Sequence, residues 1–66
     1  MHIGIIGTGS MASALAQKLS KAGHTIMIGS RDAGRSKSLA EMMGSSVHGG
    51  SIPQAADFGQ AIILAV

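Results

Sequence analysis

The segment Gly7-Thr8-Gly9-Ser10-Met11-Ala12 limits what this 66-residue chain can fold into more than any other part of it. It has the form G-x-G-x-x-A and joins a short β-branched run, His2 to Ile6, to an Ala-rich helical stretch, Ser10 to Ala22. Gly7 permits a tight turn out of the strand, and at Gly9 the lack of a side chain lets a pyrophosphate approach the backbone. Ala12 keeps the helix close to the sheet. The N–H groups at the helix start, around Ser10 to Ala12, are free to receive phosphate oxygens along the helix dipole. In this strand–loop–helix frame the pattern predicts a dinucleotide site; the plain alternative is a glycine-rich turn with no ligand. A P-loop fits less well, because Gly9 is followed by Ser10 and Met11 rather than by Lys and Ser or Thr.

The rest of the chain continues the same alternation. In the first helix Met11, Leu15 and Leu19 repeat every four residues with Ala12 and Ala16 beside them, which predicts an inward stripe. Lys18 and Lys21 lie near its C-terminus, and Gly23 is its natural stop. Thr25 to Gly29 reads as a second strand. A helix is expected from about Gly34 or Arg35 to Met43, buried through Leu39, Met42 and Met43 and ended by Gly44. A very short third strand fits around Ser46 to His48. "SIPQAADFG" reads as a brief helix with Ser51 as cap and Pro53 in its first turn, and "AIILAV" as a fourth strand. The order β-α-β-α-β-α-β predicts an α/β fold: a Rossmann-type parallel sheet with right-handed crossovers and helices on both faces. Residues 1–66 are expected to form one partial domain that stops after its fourth strand, with no second domain.

Composition narrows the function. A hydrophobic fraction of 45% with 12% charged residues argues against disorder. Phe58 is the one aromatic residue, so the stacking platforms of single-stranded nucleic-acid binders are missing and no nucleic acid is expected as a partner. With no cysteine there is no disulfide or thiolate metal site. No signal peptide or membrane span is legible, and a cytoplasmic protein is expected. His2, His24 and His48 have no carboxylate at ligand spacing, so no metal site is expected. Asp57 and Glu41 do not form an acid/base pair, no serine has a nucleophile-elbow setting, and no catalytic side chain is assigned. The five methionines are read as core filler.

The second strand decides which dinucleotide. At its end an acid would bind the adenosine ribose and repel a 2′-phosphate, whereas an arginine reverses that preference. The chain has Ser30 and Arg31 there, with Asp32 arriving late and Arg35 and Lys37 following. Three of the five basic residues thus fall within one short stretch, a patch suited to a phosphate group. NADP(H) is favoured over NAD. On the competing reading Asp32 takes the ribose and the cofactor is NAD, but capping of the next helix is the favoured role for Asp32. A merely solvated loop is the plain alternative.

"IGIIGTGSMASALAQKLSKAGHTIMIGSRD", with the following Ala/Leu-rich helix and the closing "AIILAV", resembles the N-terminal domain of NADP oxidoreductases that use a deazaflavin, coenzyme F-420. "IGSR" after the second strand carries the most specific part of the resemblance, which spans essentially the whole chain. Pyrroline-5-carboxylate reductase and metalloreductase NADPH-binding domains are similar too. The resemblance implies that Thr8, Gly9 and Ser10 contact phosphates and that Ser30, Arg31 and Arg35 hold the 2′-phosphate. Together with Gly7, Met11 and Ala12 these are the expected cofactor-binding residues. It also implies hydride transfer between NADP and a deazaflavin or similar acceptor, with little help from side chains. In the family the strand matching "AIILAV" leads into a loop beside the nicotinamide, whereas this chain ends at Val66. A cofactor-binding portion inactive by itself is therefore expected, with self-association through an uncovered sheet edge. A non-catalytic NADP(H)-binding regulatory module, or the N-terminal part of an enzyme similar to pyrroline-5-carboxylate reductase, is the alternative.

Overall fold

The structure, a computed structural model, describes residues 1–65, so the last position of the expected fourth strand, Val66, lies outside the described residues. The elements are β1 (His2–Ile6), α1 (Ser10–Lys21), β2 (Thr25–Ser30), α2 (Ala33–Glu41), β3 (Val47–Ser51), α3 (Ile52–Phe58) and β4 (Ala61–Leu64). The strands form one parallel sheet in the order β3-β2-β1-β4, the α/β arrangement that the alternation predicts.

Successive strand residues face opposite sides of a sheet, and that rule sorts the core. Ile3 pairs with Ile26 and Ile5 with Ile28 in register, all four on one face and all buried. Ala12 and Ala16 of α1, Ala40 of α2 and Val47 of β3 complete this layer, with Leu15, Leu19, Leu39 and Met43 around its margin. Each fully buried isoleucine contributes roughly 1.5–3 kcal/mol, so this face holds most of the stabilising burial. On the other face Gly4 and Gly29 leave room for α3. A Cβ on Gly4 would collide with the Ala55 carbonyl, and one on Gly29 would lie 2.6 Å from the Ala55 methyl group. The α3 connection therefore crosses to the side opposite α2 and returns the chain to the far edge of β1. Winding reverses at β1, with β2 on one side of it and β4 on the other, and in sheets of this kind ligands bind beyond the C-terminal ends of the strands at such a reversal.

Helix ends follow local chemistry. After α1, the Gly23 N–H bonds the Ser20 carbonyl and the His24 N–H bonds the Leu19 carbonyl, both at 3.1 Å, a Schellman stop with Gly23 at φ +96°. At α3 the Ser51 hydroxyl accepts from the Gln54 N–H (3.3 Å), while the Gln54 side chain accepts from the Ser51 N–H (2.8 Å). This capping box satisfies two backbone donors at once. Ser51→Ala is expected to cost about 1 kcal/mol, read as a lower urea midpoint with an unchanged slope.

Some sequence expectations need correction. Met11 is not part of an inward stripe: it is 63% exposed, because α1 lies on the sheet through Ala12 and Ala16 and Met11 falls to the open side of that line. Met42 is 82% exposed, because α2 ends at Glu41 and Met42 is its C-cap. The inward line of α2 is instead Ser36 and Ala40. None of the five methionines is fully buried: Met1, Met11 and Met42 are exposed, whereas Met27 is half-buried and Met43 packs against the margin of the core, so the core-filler reading holds only in part. β3 starts at Val47 and runs on through two glycines to Ser51, longer than expected and fixed by its register with β2 from Ile26 to Ser30.

Candidate functional site

The glycine loop leaves the C-terminal end of β1 through Gly7, at φ +132°, a conformation that side chains other than glycine rarely adopt. The Gly7 N–H donates to the Gly29 carbonyl at 2.9 Å, and a Cβ on Gly7 would run into the Ala65 carbonyl. The turn is thus clamped between the end of β2 and the residue after β4. Thr8 is half-buried, and Gly9 is exposed as the N-cap of α1.

Gly9 gives α1 no side-chain cap, and the first turn carries no acid. The Ser13 N–H is the first to reach a helical acceptor, the Gly9 carbonyl at 3.1 Å, which also accepts from the Ser13 hydroxyl at 3.2 Å. The N–H groups of Ser10, Met11 and Ala12 precede it and have no acceptor within the helix. Together with the helix dipole they make a region of positive potential. Nothing lies within 4 Å of where a Cβ on Gly9 would stand, so the approach to these donors is open. Ala12 is fully buried against the sheet, as the motif predicts.

The β2–α2 turn stands next to this loop, since Ile6 pairs with Gly29 and Ser30 is the next residue of β2. Arg31 and Arg35 are exposed. Asp32 caps α2: its carboxylate accepts from the Arg35 N–H at 3.2 Å, and its carbonyl accepts from the N–H groups of Arg35 (3.1 Å) and Ser36 (3.2 Å). That is the capping role favoured from the sequence. The Ser30 hydroxyl donates to the Asp32 carbonyl at 2.7 Å and lies 2.8 Å from the hydroxyl of Ser36. Ser36 was absent from the sequence candidates. Its one signal is a polar residue four positions before Ala40, on the inward line of α2.

Other candidates lie apart from these two segments. Lys37 lines an open concavity of about 340 Å³ with Glu41, His48 and Gly49, which shares no residue with the glycine loop or with Ser30 and Arg31. His2 stacks on Phe58 with ring centres 4.7 Å apart, and His48 meets the same ring edge-on at 6.2 Å. Among the described residues no group of three or more His, Cys, Asp or Glu side chains could hold a metal ion. No helix among them is long and apolar enough to cross a membrane.

The arrangement sets an open helix N-terminus, able to receive an anion, beside the β2–α2 turn and the start of α2, where the side chains of Arg31 and Arg35 are exposed. The family model described as "NADP oxidoreductase coenzyme F420-dependent" matches residues 2–66. No curated protein matches the sequence.

Proposed function

The chain belongs to this family of NADP oxidoreductases, and from that premise we propose that it holds NADP(H) across the C-terminal ends of β1 and β2. The N–H groups of Ser10, Met11 and Ala12 would hold its pyrophosphate, with Gly7, Thr8 and Gly9 forming the floor of the loop. Ser30, Arg31 and Arg35 would hold the adenosine 2′-phosphate. One observation supports this reading above others. The uncapped, unobstructed start of α1 adjoins a turn in which the one carboxylate, Asp32, is engaged with its own helix. The donor chemistry fits the group: neutral N–H donors face the diphosphate, and guanidinium groups face the dianionic 2′-phosphate.

NADP(H), when bound, supplies the hydride, exchanged with a deazaflavin coenzyme or a similar acceptor. The chain's own part is binding and orientation. Gly7 fixes the turn, α1 draws the diphosphate to the sheet, and Arg31 and Arg35 anchor the adenosine end. No side chain of this chain is assigned a proton transfer. Calorimetric titration with NADPH and NADH tests the proposal. Tighter binding of NADPH is expected; equal or tighter binding of NADH would overturn the 2′-phosphate assignment.

Self-association belongs to the same proposal. Among the described residues β4 pairs on one side alone, with β1, and its Ile62 and Leu64 are 45% and 72% exposed. An open strand edge with apolar side chains is a template for pairing. Sedimentation velocity is expected to show dimers or larger species, and Leu64→Lys to reduce them. A monomer at high concentration would count against this part of the proposal.

A further inference from the structure

We propose that Ser36, a residue without contact to solvent, is a positioning residue for the 2′-phosphate and so helps to set the NADP(H) preference through Ser30. This rests on the NADP(H) reading above and names a residue that acts behind that site. Ser36 is 0% exposed on the inward side of α2. A Cβ on Gly49 would collide with the Ser36 carbonyl, so helix and strand are in close contact at this point and leave Ser36 little freedom to move.

Counting protons orients the chain of hydroxyls. Ser30 has one hydroxyl proton, and it goes to the Asp32 carbonyl at 2.7 Å. The 2.8 Å contact between the two hydroxyls must then use the Ser36 proton, so Ser36 donates and Ser30 accepts. In this state Ser30 has no proton to offer a phosphate. Turning its O–H away from Asp32 costs little, because the Asp32 carbonyl keeps the N–H groups of Arg35 and Ser36. The Ser36 bond survives that turn. It holds the Ser30 oxygen at the end of β2 while the proton swings to the 2′-phosphate, and its donation polarises the Ser30 O–H into a stronger donor. Without Ser36 the Ser30 side chain would be free to leave that rotamer.

A double-mutant cycle on the whole chain tests this, with NADPH and NADH titrated against wild type, Ser36→Ala, Ser30→Ala and the double variant. Ser36→Ala is expected to weaken NADPH about three- to tenfold, the range of one neutral hydrogen bond, and to leave NADH unchanged. In the Ser30→Ala background the same change is expected to have no further effect on the NADPH-to-NADH ratio. A merely structural Ser36 would lower both affinities together, or lower the ratio equally in both backgrounds; either result overturns the inference. Should Ser36→Ala not fold, Ser36→Cys keeps the size with a poor donor and is expected to shift the ratio the same way; an unchanged ratio overturns the inference. A wild type that prefers NADPH while the ratio ignores Ser36 refutes this inference alone. A wild type without that preference refutes the 2′-phosphate assignment and this inference with it.

Discussion

Arg31→Ala is expected to weaken NADPH binding by roughly 10- to 100-fold while leaving NADH binding unchanged. The range follows from one charge-assisted hydrogen bond, about 1.5–3 kcal/mol, with each 1.4 kcal/mol close to a factor of ten. Arg31 is exposed and follows Ser30 directly at the end of β2, so its removal leaves no cavity and no change in melting temperature is expected. Arg31→Lys should recover part of the loss, since an ammonium supplies the charge without the paired donors of a guanidinium. The difference between the cofactors should shrink as salt rises, because an exposed charge is screened. Calorimetry at two ionic strengths measures all of this. Equal losses for NADPH and NADH would move Arg31 from the 2′-phosphate to a part common to both cofactors.

The alternation of strands and helices was legible because glycines bound nearly every element. Gly7 opens the turn after β1, Gly23 stops α1, and Gly44 follows α2, each at positive φ. The loop motif was legible because its strand and helix neighbours were. Asp32 was legible as a cap, since its spacing to Arg35 and Ser36 suits an N-terminal turn. The exposure of Met11 was not, because hydrophobicity alone does not tell which side of an Ala-rich helix approaches the sheet. There the small residues win, since they allow the shorter distance. The length of β3 was not legible either. His48-Gly49-Gly50 has weak strand propensity, and pairing with β2 overrides it. Ser36 escaped for a related reason: its partner is six residues away across a turn, and only the folded turn brings the two hydroxyls together.

Gly9→Ala is expected to separate binding from folding. Gly9 has φ −78° and ψ −173°, extended backbone open to any L-residue, and its added methyl group would meet nothing within 4 Å. Stability should therefore change by less than about 1 kcal/mol, with the loss of unfolded-state freedom offset by a poorer N-cap. The same methyl group stands in the space that the diphosphate must enter to reach the N–H groups of Ser10, Met11 and Ala12. Both NADPH and NADH should then weaken, on the order of 10- to 100-fold, as for a methyl forced into a filled contact. Gly7→Ala is the contrasting case. Its φ of +132° and the Ala65 carbonyl facing its Cβ direction predict lost stability, with backbone strain of about 1–3 kcal/mol before the collision is counted. Melting curves and titrations on the two variants read the difference. Undiminished binding by Gly9→Ala would take the diphosphate off the start of α1, whereas a stability loss matching that of Gly7→Ala would make Gly9 a structural glycine like its neighbour.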